Sequence, residues 1–287
     1  MPEDRTPNAA SLDLPALERT MRDAAVVAAA FIAGRAAERA TITWESKGPT
    51  DFVSEVDLGA ERRIRDALLS AYPDATFVGE ESYDPAAGLG PALGFVVDPL
   101  DGTTNFLHGF PWYAVSIAAT WAGRPVAGVV HNVPTGEVFS ATHGHGAFRR
   151  PREDAAPEPI AVSRISDPAR ALIGTGFPFK TPDELPVYAP QFAAVARSTA
   201  GMRRAGSAAL DLCDVACGRF EAFWELSLSP WDFAAGLVIA TEAGAVATTP
   251  SGAEATITHT GLCIGNPALH AWLLNTLQTA AAPPARA

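Results

Sequence analysis

The run Phe95-Val96-Val97-Asp98-Pro99-Leu100-Asp101-Gly102-Thr103-Thr104-Asn105-Phe106 carries the most information in the chain. Three consecutive apolar residues, bounded by Gly94 and by Asp98-Pro99, have the pattern of a short strand buried on both faces. Two aspartates follow at the end of that strand. Pro99 fixes the turn between them and leaves the Leu100 carbonyl to point into a site. Gly102-Thr103-Thr104 then opens a helix, whose unpaired N–H groups and positive dipole end favour an anion. Cation ligands and an anion pocket on one short segment point to hydrolysis of a phosphate ester.

Outward from this run, two more acidic positions sit where elements begin or end. Glu80-Glu81 follows Phe77-Val78-Gly79 at the end of a second apolar stretch, and Asp232 stands behind Trp231 at the start of an apolar helix. Carboxylates at the ends of separate elements are placed to converge on one edge of a sheet. Converging carboxylates repel unless cations or protons neutralise them. An all-oxygen ligand set without nearby His or Cys favours a hard ion, Mg²⁺ before Zn²⁺. The chain has no Gly-x4-Gly-Lys-Ser/Thr, no His-Glu-x-x-His and no Gly-x-Ser-x-Gly motif. Gly88-Leu89-Gly90 leads into Pro91 and a strand, so it is not a dinucleotide-binding turn, which must open a helix.

The composition sets the frame. With 287 residues the chain makes one or two domains, and 48% apolar residues are enough for a large core. A net charge of −11 argues against a nucleic-acid or anionic-membrane surface, which needs clustered Lys and Arg. The longest apolar run, Ala24 to Ala33, is well short of the ~18 residues of a membrane span. Met1-Pro2-Glu3-Asp4 lacks the basic stretch and apolar core of a secretory signal, and three cysteines make no disulfide framework. A cytoplasmic protein is expected. Cys213 and Cys217 read as core thiols, His143-Gly144-His145 as an exposed turn, and Trp112, Trp121, Trp224 and Trp231 as packing residues, with Trp224, next to Glu225, also a candidate wall of the pocket.

Periodicity predicts a helix capped by Asp13 and a second over Leu58–Ser70. Three antiparallel strands follow at Ala114–Trp121, Val126–Val133 and Val138–Thr142, with turns at Ala122-Gly123-Arg124 and Pro134-Thr135-Gly136. The proline-rich, charged stretch Arg149–Pro159 reads as an exposed loop. Beyond it helices (Pro186–Ser198, Ser207–Cys217, Asp232–Ala243, Pro267–Leu277) alternate with strands (Phe220–Trp224, Ala245–Thr249, Leu262–Gly265). The expected class is α/β, with an α+β half over 1–150 carrying the metal-binding motifs and an α/β half over 151–287 carrying Asp232 and the substrate contacts. Together they make one catalytic unit.

The run Asp98 to Phe106 resembles the signature of the inositol monophosphatases, magnesium-dependent and lithium-sensitive sugar-phosphate phosphatases. Gly79-Glu80-Glu81-Ser82, Gly206-Ser207-Ala208-Ala209 and Trp231-Asp232-Phe233-Ala234-Ala235-Gly236 match further family motifs in the same order, and the resemblance runs from about Lys47 to Asn266. It implies a five-layer αβαβα sandwich, assembled as a homodimer, that hydrolyses inositol 1-phosphate with metal-activated water and two to three Mg²⁺ ions. Carried over, Asp57, Thr103 and Glu80 are the catalytic residues, with Thr103 and Asp57 as the dyad that orients and deprotonates water. Glu80, Asp98 and the Leu100 carbonyl hold one metal, and Asp98, Asp101 and Asp232 a second. The N–H groups of Gly102 and Thr103 hold phosphate, while Asp101, Ser207, Ala208 and Glu225 contact the sugar or polyol. Lys47 matches a family lysine beside the site.

The sequence departs from the family pattern at Ser229-Pro230, where animal members carry His-Cys, and at Gly244-Ala245 in place of Gly-Gly. The same chemistry on histidinol phosphate, fructose 1,6-bisphosphate or a 3′-phosphonucleotide is the alternative. Thr104-Asn105 counts against the nucleotide-specific relatives, which read Lys-Glu there. A carboxylate-pair glycosidase, or a metal-binding scaffold without catalysis, is the alternative of a different class. A glycosidase of that kind needs no metal, so it would be insensitive to chelator.

Overall fold

A computed structural model describes residues 12–48, 51–84 and 88–281, so the Met1–Asp4 segment lies outside the described residues. Asp13 accepts a hydrogen bond from the Ala16 amide at 2.9 Å and opens α1 (Leu14–Ala36), whose Leu17, Met21, Ala24, Ala28 and Ile32 form a buried stripe. A hairpin of β1 (Trp44–Gly48) and β2 (Asp51–Ser54) follows. Ser54 and Asp57 then cap α2 (Glu55–Ala71) reciprocally, each side chain bonding the other's backbone end.

The next strands build one large sheet: β3 (Thr76–Gly79), β4 (Leu93–Asp101), β5 (Ala114–Trp121), β6 (Arg124–Asn132), β7 (Val138–Thr142), β8 (Ala147–Arg150) and β9 (Glu158–Ile160). They lie in sequence order; β3 and β4 are parallel and all later pairs antiparallel. The short helix α3 (Thr103–His108) leaves the end of β4. A second sheet holds β10 (Leu172–Thr175), β11 (Gly201–Arg203), β12 (Ala222–Glu225), β13 (Val246–Thr248) and β14 (Leu262–Gly265), in the order β11-β10-β12-β14-β13. Its helices are α4 (Leu185–Ala196), α5 (Ala208–Ala216), α6 (Pro230–Glu242) and α7 (Pro267–Ala281).

The layers follow from which faces are apolar. α1 and α2 cover one face of the large sheet, burying Phe95, Val97, Ile117 and Val129 between them. The other face meets α5 and α6, which are apolar nearly all round because the second sheet lies behind them. α4 and α7 cover the far face of that sheet. The order helix, sheet, helix, sheet, helix is the expected five-layer sandwich.

Two expectations are corrected. Arg149–Pro159 is not a free loop: Arg149 and Glu158 are paired across β8 and β9 and bridged at 2.9 Å. A division at 150/151 therefore cuts a hairpin, and the large sheet runs on to Ile160. The strand holding Val97 also does not stop before the aspartates. β4 continues through Asp98 to Asp101, with its pairing to β5 interrupted between them, where Pro99 has no N–H to donate.

Candidate active site

The ends of several elements meet around one cavity of about 540 Å³. Glu80 reaches it from the end of β3, Asp98, Leu100 and Asp101 from β4, and Gly102 and Thr103 from the start of α3. Ser207 and Ala208 line it from the start of α5, Glu225 from the end of β12 and Asp232 from the first turn of α6. Asp57 stands behind this lining and touches it through Thr103, whose hydroxyl lies 2.9 Å from Asp57 Oδ1 and 3.1 Å from the Leu100 carbonyl. Gly102 has φ +94°, and a Cβ there would sit 3.0 Å from the Trp112 carbonyl, so the turn into α3 requires glycine.

Four of the aspartates are fixed by protein donors. The Leu100 amide donates to Asp98 Oδ1 at 2.9 Å. Ser207 Oγ and the Ala209 amide donate to Asp101 Oδ2 at 2.5 and 2.8 Å. The Ser229 amide donates to Asp232 Oδ2 at 2.6 Å, and Ser54 donates to Asp57 through both its amide and its hydroxyl. Asn105 ties α3 to the segment before α5 by donating to the Trp112 and Ala205 carbonyls at 2.7 and 2.9 Å.

Burial, and after it the neighbouring negative charges, raises the pKa values of these acids. Burial, then Glu80, Asp101 and Asp232, holds Asp98 well above the ordinary carboxylate range. Burial, then Glu80 and Asp101, pushes Asp232 up to about 8. Glu225 also reaches about 8, through burial and then Asp232, although Arg204 opposes it. Asp101 and Asp57 rise to about 6, where burial outweighs the hydrogen bonds they accept. Lys47 lies at 3.2 Å from Glu80 and 2.7 Å from Glu81. Burial pulls its ammonium down, but the two acids outweigh that and raise it overall. Glu81 is pushed up to about 7, chiefly by burial.

This donor set fits hard cations: carboxylates and a peptide carbonyl line the cavity, and neither His nor Cys does. Among the described residues no three His, Cys, Asp or Glu side chains stand together as a finished metal cluster.

Some positions belong elsewhere. Cys213 is buried in the central core, Cys217 is partly buried, and neither forms a disulfide. The His143–Gly146 turn is clamped by Glu242, which accepts from the Gly144 and Gly146 amides at 2.9 and 3.0 Å. Trp224 does not wall the pocket, because it is fully buried on the outer side of the second sheet and stacks on Tyr188. Sequence reasoning missed Lys180, Arg204 and Asp211, which also line the cavity. None lies in a motif; the one sequence signal for Asp211 is an acid inside the apolar stretch Ala208–Ala216.

A layered α/β chain whose acids and helix starts surround one such cavity has the build of a phosphatase for small phosphate esters. The chain belongs to the inositol monophosphatase family, whose model matches residues 13–282. Members of that family are generally metal-dependent. The chain is 41% identical over 240 residues to Nus factor SuhB of Pseudomonas aeruginosa, covering 83% of this chain and 86% of the relative. It is 42% identical over 220 residues to inositol-1-monophosphatase of Rhizobium meliloti, covering 77% and 80%. The crystal structure of extragenic suppressor protein suhB from Bartonella henselae superposes with a TM-score of 0.85 at 36% identity, covering 92% of this chain and 98% of that one.

Proposed function

We propose that this protein is a Mg²⁺-dependent phosphomonoesterase that hydrolyses inositol 1-phosphate to inositol and phosphate. The observation that carries the reading is the Thr103–Asp57 hydrogen bond of 2.9 Å beside a cavity lined by Glu80, Asp98, Asp101 and Asp232. The inositol-1-monophosphatase name of the Rhizobium meliloti relative supports the choice of ester.

In this reading Glu80, Asp98 and the Leu100 carbonyl hold one Mg²⁺, and Asp98, Asp101 and Asp232 a second, with a third ion near Glu80. Bound Mg²⁺ supplies positive charge for the phosphoryl oxygens and lowers the pKa of water. Thr103 positions the attacking water, and Asp57 behind it takes up its proton. The N–H groups of Gly102 and Thr103 hold phosphate oxygens at the start of α3. Ser207, Ala208 and Glu225 orient the polyol, and Asp101 serves both metal and substrate. Because phosphoryl transfer is mostly positioning and charge stabilisation, no covalent enzyme intermediate is needed. Lithium sensitivity, a homodimer and a cytoplasmic location complete the reading. No described helix is long and apolar enough to cross a membrane.

The test is phosphate release from inositol 1-phosphate, histidinol phosphate and fructose 1,6-bisphosphate, each with Mg²⁺ and with chelator. Chelator-sensitive turnover led by the inositol ester is expected. A different leading ester overturns the substrate, and turnover unaffected by chelator overturns the metal.

A further inference from the structure

We propose that Asp211 is a further specificity-determining residue of this site, hydrogen-bonding a hydroxyl of a polyol phosphate on the Glu225 side of the cavity. The inference rests on the phosphatase reading above. The start of α5 shows Ser207, Ala208 and Asp211 to the cavity, at positions i, i+1 and i+4 of one helical face. The Ser207 hydroxyl already donates its one proton to Asp101 and Ala208 offers a polyol only backbone atoms, so both can serve alongside a further side-chain contact. Asp211 is only 2% exposed, and its Oδ1 is enclosed without any hydrogen-bond partner.

A structural acid on this helix looks different. Asp214, three residues on, is held by Arg219 at 3.0 Å. The cation nearest in role to Asp211 is Arg204, and its guanidinium is stacked on Phe179 and Phe177, 4.9 and 5.7 Å from their ring centroids. A buried carboxyl without a partner disfavours the fold, so one facing a binding cavity is a position kept for a ligand atom. Glu225 and Asp101 face Asp211 from β12 and β4, with Asp214 on its own helix and Arg204 as the opposing charge. Among these groups a neutral donor suits best. A hydroxyl donates to a carboxylate and accepts from a carboxylic acid, so it satisfies Asp211 in either form.

The test compares kcat/KM for inositol 1-phosphate and for p-nitrophenyl phosphate, which has no hydroxyl, in wild type, Asp211→Leu and Asp211→Asn, all with Mg²⁺. Leucine keeps the branched shape, with bulkier ends, and removes hydrogen bonding, whereas asparagine keeps the size and both an acceptor and a donor. Asp211→Leu is expected to lose about tenfold or more on the inositol ester through KM, and no more than about twofold on p-nitrophenyl phosphate. Asp211→Asn is expected to stay within about threefold of wild type on both. If leucine disturbs α5, Asp211→Ala is read in the same way. An unchanged ratio between the esters overturns the inference, as does an equal loss in Asp211→Asn, which marks charge rather than hydroxyl pairing. Wild type inactive on both esters overturns the phosphatase reading and this inference with it; wild type active on both, with the ratio unchanged in Asp211→Leu, overturns the inference alone.

Discussion

Thr103 is where the proposed chemistry is most exposed to a single change. Its single O–H lies within reach of two acceptors, Asp57 Oδ1 at 2.9 Å and the Leu100 carbonyl at 3.1 Å, which fixes the hydroxyl and leaves its lone pairs to accept from a third group. Thr103→Val keeps the shape and removes the hydroxyl; kcat for inositol 1-phosphate is expected to fall about 100-fold with KM nearly unchanged, as measured by initial rates. The acids give a second prediction. Burial pushes Asp57 and Asp101 up to about 6 and Asp232 and Glu225 up to about 8, against about 4 in an unfolded chain. Between those limits the folded metal-free protein binds more protons than the unfolded one, so stability falls as pH rises. Calorimetry in chelator is expected to show Tm dropping on the order of 5 °C from about pH 5 to pH 8, with Mg²⁺ restoring it most at the upper end. A Tm that rises over this interval contradicts the electrostatics described. Acids in runs such as Asp98–Asp101 were legible because spacing and neighbours mark them. Asp211 and Arg204 were not, since each meets the cavity only after distant segments fold together.

At the scale of elements, α6 positions Asp232 and is itself positioned by close approach to the large sheet. A Cβ at Gly128 in β6 would lie 2.4 Å from the Ala235 carbonyl oxygen, so helix and strand touch backbone to backbone there. Gly128→Ala must push α6 away; a loss of about 1–3 kcal/mol in urea unfolding is expected, together with reduced kcat as Asp232 moves. Unchanged stability and rate would mean that this contact does not hold the helix. The strands with clear turn signals, β5 to β7, and the apolar helices α5 to α7 were legible from pattern alone. The β1–β2 hairpin was not, because Trp44–Lys47 are all exposed and show no alternation of apolar and polar residues. β9 was hidden by its proline, which the edge of a sheet tolerates. β10 and β11 are short, glycine-containing strands whose pairing partners are distant in sequence.

For the whole molecule, the decisive feature is that one core is shared by both sheets through α5 and α6. Neither half can bury its inner face without the other, so residues 1–160 alone are expected to bind a hydrophobic dye, while the full chain unfolds in a single calorimetric transition. Two separated transitions would mean that the halves are independent. The cavity lies where that shared layer meets the ends of β3, β4 and β12, so a fold held together across its middle also holds the acids in place. Titration calorimetry of Mg²⁺ into wild type and Asp98→Asn tests the central claim most directly, since Asp98 is assigned to both main ions. Saturable binding to wild type that is lost or strongly weakened in Asp98→Asn is the expected result; equal binding to both, or none to wild type, contradicts it.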